Sequence, residues 1–234
     1  MQTLPRRDFL YTLGMSVLAS TTLAERTAHA AARGYPNIVV ILADDMGFGD
    51  LACQNPDSKI PTPNLDRLAS RGMRFTDAHS PSSVCSPTRF GLLTGTYAWR
   101  SPLKQSVLWT WDAPLIPERT LTLGGMLRER GYSSACIGKW HLGWDWPTRD
   151  GSRINDTIAL GDYNLEARKA FNEKVDLSKA ITSGPTTRGF DYYFGDDVPN
   201  FAPYCFIEND RCTELPTVPK PDEMFGTPGP MVPG

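Results

Sequence analysis

Pro36-Asn37-Ile38-Val39-Val40-Ile41-Leu42-Ala43-Asp44-Asp45-Met46-Gly47 is the stretch whose reading decides the fold class. Residues 38–42 are an unbroken, mostly β-branched apolar run, with Pro36 before it and two acids after it. Such a run without alternation predicts a strand buried on both faces, as in a parallel sheet. Outward from it, Thr62-Pro63-Asn64-Leu65-Asp66-Arg67-Leu68-Ala69-Ser70-Arg71-Gly72 offers an N-cap, Pro at the first helical position, apolar residues at helical spacing and a closing Gly. A short strand is expected over 73–77. A second helix is expected to start at Pro87 with Ser86 as its cap, bury Phe90, Leu92 and Leu93, and end near Gly95. A third runs from about Thr122 to Arg130, is stopped by Gly131, and leads into a strand over 133–138. The alternation predicts an α/β fold with a mostly parallel central sheet and helices on both faces. In such sheets ligands gather at the carboxyl ends of the strands.

The chain of 234 residues is 40% hydrophobic and 21% charged, values that suit a globular domain and exclude disordered, collagen-like and coiled-coil classes. A net charge of −2 leaves no basic stripe to neutralise phosphates, so no nucleic acid is expected as a partner. Arg6-Arg7-Asp8-Phe9-Leu10 precedes a mildly apolar run, and Ala28-His29-Ala30 has the small-x-small form of a cleavage site. Residues 1–30 therefore read as a twin-arginine-type signal peptide, too short and polar to span a bilayer. The protein is expected to be exported, periplasmic or secreted, with no membrane span. Residues 31–234 form the remaining domain, and its Pro- and Gly-rich ending from Pro216 to Gly234 reads as a break in a longer chain.

Five cysteines in an oxidising compartment cannot all pair with one another. Cys205 and Cys212 flank Asn209-Asp210 in a hairpin pattern, which leaves a local bridge between them open. Cys136 falls in an apolar strand pattern, where a buried thiol is the ordinary outcome. Cys85 differs, because Cys85-Ser86-Pro87-Thr88-Arg89 places it at a helix mouth with a guanidinium one turn away. That pattern makes an anion site with a nucleophile at its edge. Asp44-Asp45 closes the first predicted strand and is followed by Gly47 and Gly49, so a turn is expected there. Paired acids at a strand end suit a hard divalent cation, although a solvated turn carries the same residues. Lys139 and His141 leave the strand 133–138 at an i, i+2 spacing, which brings a cation and a base to one face.

Together with Leu93-Thr94-Gly95 and Gly138-Lys139-Trp140-His141-Leu142-Gly143, these motifs resemble the N-terminal half of a type I, formylglycine-dependent sulfatase. The chain is similar to the arylsulfatases of the alkaline phosphatase superfamily. The match is dense from Tyr35 to Leu142 and looser at Arg188-Gly189-Phe190-Asp191. The resemblance implies sulfuric ester hydrolysis, with Cys85 oxidised to formylglycine (3-oxoalanine) by a formylglycine-generating maturation enzyme. It further implies one Ca²⁺ ion held by Asp44, Asp45 and residue 85. In the same terms Arg89 holds the formylglycine hydrate, Lys139 binds sulfate oxygens, and His141 takes a proton as sulfate leaves. The substrate is expected to be a small-molecule or carbohydrate sulfate ester.

The chain departs from the family in having no His after His141. The downstream metal ligands and leaving-group acid of the family are therefore unmatched, and Gly195-Asp196-Asp197 and Asn209-Asp210 are not assigned to metal. A phosphodiesterase or phosphonate hydrolase of the same superfamily, and a non-catalytic fragment, stay open as alternatives. His79 is expected to stabilise its loop. Trp99, Trp109, Trp111, Trp144 and Trp146 fit either an aromatic subsite or packed lids.

Overall fold

The computed structural model describes residues 34–154, 159–162 and 164–218. The predicted signal peptide and most of the Pro- and Gly-rich ending lie outside the described residues. Two compact units divide the chain, one of residues 37–80 and one that takes in Tyr35, Pro36 and everything from Pro81 onward.

In the smaller unit, Pro63–Arg71 forms helix α1, with Thr62 as N-cap and Gly72 as C-cap, as the sequence predicts. Thr62 Oγ1 accepts from Ala52 N at 3.0 Å and donates to Asp66 Oδ1 at 3.0 Å, while Cys53 N donates to the same carboxylate oxygen at 2.9 Å. These bonds fasten the preceding loop to the first turn. The two strands predicted in this unit do not form. Residues 38–42 belong to no strand, and Val39 and Ile41 are 82% and 77% exposed. Residues 73–77 are likewise irregular, with Met73 and Phe75 open to solvent. A strand of this kind gains its stability from hydrogen-bonded neighbours, and none is present for it among the described residues.

The larger unit carries the core. Helix α2 spans Cys85–Thr94 and closes on Gly95, whose left-handed φ of 64° a residue with a Cβ adopts poorly. Helix α3 spans Leu123–Glu129, and its cap Thr122 accepts from Gly125 N at 3.0 Å. Helix α4 spans Leu165–Lys174. The sheet has strands β1 (Ala135–Ile137), β2 (Tyr192–Gly195), β3 (Ile207–Glu208) and β4 (Arg211–Cys212), in that spatial order. The β1–β2 pair is parallel with Cys136 opposite Tyr193, and the other two pairings are antiparallel. The fold class is α/β as expected, and the sheet seen here is mixed. β1 is shorter than the predicted strand and Ile137 is exposed, so it is not buried on both faces.

The core gathers Phe90, Leu108, Leu115, Trp140, Leu142, Trp144, Tyr193 and Ile207, among others. Of the helix α2 residues expected inside, Phe90 is buried, Leu93 packs partly against the core, and Leu92 faces outward. Four of the six tryptophans lie in this core: Trp111, Trp140, Trp144 and Trp146. The edge-on Trp111–Trp146 pair and the Trp144–Tyr193 pair have ring centroids 4.9 and 5.6 Å apart. Packing therefore accounts for Trp111, Trp144 and Trp146, whereas Trp99 is exposed and stacks on Tyr97.

Candidate active site

The structure shifts helix α2 by two residues from its expected start. Val84 is the N-cap and Cys85 is the first helical residue, rather than lying just ahead of it. The first intrahelical bond runs from Thr88 N to Val84 O at 3.2 Å. The amides of Cys85 and Ser86 therefore precede the helical ladder and aim at the mouth, where negative charge is stabilised. Pro87 has no N–H to contribute. Cys85 is half-buried, whereas Ser86 and Pro87 beneath it are buried.

Two hydrogen-bonded links tie this helix mouth to the segment after β1. Arg89 Nη1 donates to the Lys139 carbonyl at 2.6 Å. Ser86 Oγ accepts from Leu108 N at 3.0 Å, and the Leu108 carbonyl in turn meets His141 Nε2 at 2.6 Å. A carbonyl only accepts, so Nε2 carries the proton, and a neutral His141 ring keeps its lone pair on Nδ1. The ring is buried, and the backbone of His141 is left-handed, with φ 52°. Lys139 thus meets Arg89 through its carbonyl and His141 meets Leu108 through its ring, and the left-handed backbone at His141 breaks the extension on which the expected i, i+2 pairing depended.

The carboxyl end of β2 completes the cluster and was not assigned from sequence. Gly138 N donates to Phe194 O at 2.8 Å, Trp140 N donates to Asp196 O at 2.9 Å, and the single O–H of Tyr193 is shared between Gly138 O at 3.0 Å and Asp196 O at 2.7 Å. A Cβ on Gly195 would stand 2.0 Å from Gly138 O, so only glycine allows the two strand ends to close on each other. Asp196 has its pKa raised by burial, with the Lys139 and Arg89 charges drawing it back down. Burial also pushes Asp197 up, to about 7, although the Trp144 indole N–H and the His141 main-chain amide face its carboxyl. The available signal was Tyr192-Tyr193-Phe194-Gly195-Asp196-Asp197, an aromatic strand closed by two acids, the same form that singled out Asp44-Asp45.

Asp44 and Asp45 occupy a turn in the smaller unit and are exposed, which agrees with the expected turn. They are hard oxygen donors suited to calcium, but calcium takes about 6–8 oxygens. Among the described residues no group of three or more His, Cys, Asp or Glu side chains converges as a metal site. The donor chemistry fits the ion and the ligand number is partial. His79 Nε2 meets Asp77 Oδ1 at 2.7 Å with both side chains exposed, a loop contact as expected. In the larger unit, a cavity of about 1200 Å³ between helix α4 and the β3–β4 hairpin is lined by none of Cys85, Arg89, Lys139 or His141.

Cys85 at the mouth of helix α2, Arg89 one turn on and Lys139-Trp140-His141 after β1 are the motifs on which the sequence resemblance rests. Residues 36–204 match the sulfatase family model, and the chain belongs to the sulfatase family. It is 45% identical over 182 residues to an N-acetylgalactosamine-6-O-sulfatase of Bacteroides thetaiotaomicron, a match that covers 77% of this chain and 30% of that protein. It is 37% identical over 194 residues to mouse arylsulfatase G, with 83% of this chain and 30% of the relative covered. A solved Bacteroides thetaiotaomicron 6S-sulfatase, described with the metabolism of multiple glycosaminoglycans, superposes with a TM-score of 0.58 at 35% identity, over 76% of this chain and 32% of that one. The fold is thus that of the sulfatases. The chain spans about 30% of the length of these relatives.

Proposed function

We propose that the protein hydrolyses sulfate esters, with residue 85, as formylglycine, in the role of nucleophile. The observation that carries this is the double link from helix α2 to the post-β1 turn: Arg89 to the Lys139 carbonyl, and Ser86 through Leu108 to His141. As formylglycine, residue 85 would supply in its hydrate one hydroxyl able to attack sulfur and a second able to release sulfate. Arg89 anchors the Lys139 backbone and adds positive charge beside the helix mouth. Lys139 binds the sulfate oxygens as charge builds on them. His141, its Nε2–H spent on Leu108, accepts a proton at Nδ1. Asp44 and Asp45 would contribute oxygen ligands to a calcium ion, which would supply Lewis-acid chemistry toward a sulfate ester.

The name of the 45% identical relative supports a carbohydrate sulfate ester as the substrate class. Maturation requires a formylglycine-generating enzyme that reads Cys85-Ser86-Pro87-Thr88-Arg89. The signal-like residues 1–30 support export by the twin-arginine route, and among the described residues no helix is long and apolar enough to cross a membrane.

The test is hydrolysis of an aryl sulfate and its matched aryl phosphate by protein carrying this sequence, co-produced with the maturation enzyme. Preferential sulfate turnover is expected, with peptide mass spectrometry showing formylglycine at position 85. In Cys85→Ala that turnover falls to background, a loss of at least about 10³-fold. A phosphate preference, or undiminished turnover in the variant, overturns the assignment.

A further inference from the structure

We propose that Cys205 and Cys212 form an intramolecular disulfide that closes the base of the β3–β4 hairpin, made by exchange with a protein or small-molecule disulfide. The sulfur atoms lie 2.8 Å apart, closer than two non-bonded sulfurs ordinarily approach. The hairpin's register explains the proximity. Ile207 pairs with Cys212 and Glu208 with Arg211, and the pairing extends to a bond from Thr213 N to Phe206 O at 2.9 Å. Cys205 stands two residues before Ile207, so it shares that residue's face and meets Cys212 on the diagonal. To join, the sulfurs need close only from 2.8 Å to the roughly 2.05 Å of an S–S bond.

The hairpin has reason to be tied. Its two strands are two residues each, too short to hold by their ladder alone. Its tip is already secured. Asn209 N donates to Tyr193 O at 2.9 Å, Asn209 Oδ1 accepts from Tyr193 N at 3.1 Å, and Asp210 O accepts from Ile181 N at 2.7 Å. Its base instead lines the 1200 Å³ cavity through Cys205, Phe206 and Thr213, opposite Trp111 and Lys169. A bridge at that base fixes the cavity wall where main-chain pairing ends.

The pair also has the chemistry for exchange. Either sulfur can donate to the other, and with Cys205 as donor the hydrogen bond favours the Cys212 thiolate, lowering the Cys212 pKa and raising that of Cys205. The Cys212 thiolate attacks one sulfur of the oxidant disulfide and releases its partner as a thiolate. Cys205 then gives up its proton and attacks Cys212 Sγ, which breaks the mixed disulfide and releases the second thiol. Two cysteine thiols are oxidised and one disulfide is reduced to two thiols.

The inference does not rest on the sulfatase reading, and its test is independent of activity. Protein recovered from an oxidising compartment is alkylated without reductant and digested with trypsin, which cuts after Arg188 and after Arg211. The peptide Gly189–Arg211 and the peptide beginning at Cys212 are expected to stay joined, two hydrogens lighter than their sum, and to separate on reduction. Both peptides recovered apart and alkylated, or either one bridged to Cys53, Cys85 or Cys136, overturns the proposal. As a second measurement, reductant is expected to lower the Tm of the wild type by about 5 °C and to leave Cys205→Ser/Cys212→Ser unmoved. An equal response in both proteins also overturns it.

Discussion

The two units treat apolar residues in opposite ways. From Pro81 onward, Leu108, Leu115, Trp144 and Tyr193 are almost wholly buried, and every buried hydrophobic side chain among the described residues belongs to this unit. In residues 37–80 the apolar run Ile38 to Leu42 lies in solvent, as does Leu68 on helix α1. Local sequence is equally suggestive in both places. The difference is whether a second element supplies the surface that an apolar face needs, and that is a non-local property.

The contrast is broken or sharpened by three measurements, the largest effect first. Arg168 Nη2 meets Asp112 Oδ1 at 2.7 Å with both side chains almost fully buried, and Asp112 Oδ2 accepts from Trp109 N and Gly161 N at 2.8 and 3.1 Å. Burial raises the Asp112 pKa even with Arg168 opposite. Arg168→Ala strands that carboxylate and is expected to cost about 3–5 kcal/mol in chemical denaturation. A loss under 1 kcal/mol would show that the larger unit is no tighter than the smaller.

Next comes the pH dependence that Asp197 contributes. Its folded pKa of about 7 is above the ordinary carboxylate value of 3.8, because burial favours the neutral form. The folded state therefore binds the proton more tightly than the unfolded state. The stabilisation is complete below pH 4 and is lost as pH rises through 7, on the order of 4 kcal/mol in all. Asp197→Asn removes this slope, so wild-type and variant stabilities should diverge between pH 4 and 7. Parallel curves would place the Asp197 proton elsewhere.

The smallest effect is expected in the exposed run. Ile41→Thr should change stability by no more than about 0.5 kcal/mol, with amides 38–42 exchanging without protection. A core-sized loss there would mean that the run is covered in solution.

Much of the backbone around the candidate site was legible because it is local. The helix turn within Cys85–Arg89, the turn at Asp44-Asp45, the caps at Thr62 and Gly95, and the hairpin around Asn209-Asp210 each depend on residues within about one turn of each other. Asp196 and Asp197 were visible as an acidic pair but gained no role, because their place beside Lys139 and His141 comes from a parallel pairing of segments far apart in sequence. The shift of helix α2 to Cys85 also lay beyond local signals, since Pro87 is compatible with any of the first helical positions.

The sequence alone thus determined the family motifs, the ends of helix α1, the Gly95 cap and the hairpin, since hydrogen bonds and steric limits between near neighbours set those directly. Only the tertiary structure decided that four tryptophans are core, that residues 38–42 stand exposed, and that the ends of β1 and β2 close on each other at Gly138 and Gly195. Burial and sheet pairing depend on which distant surface arrives, and no local propensity encodes that.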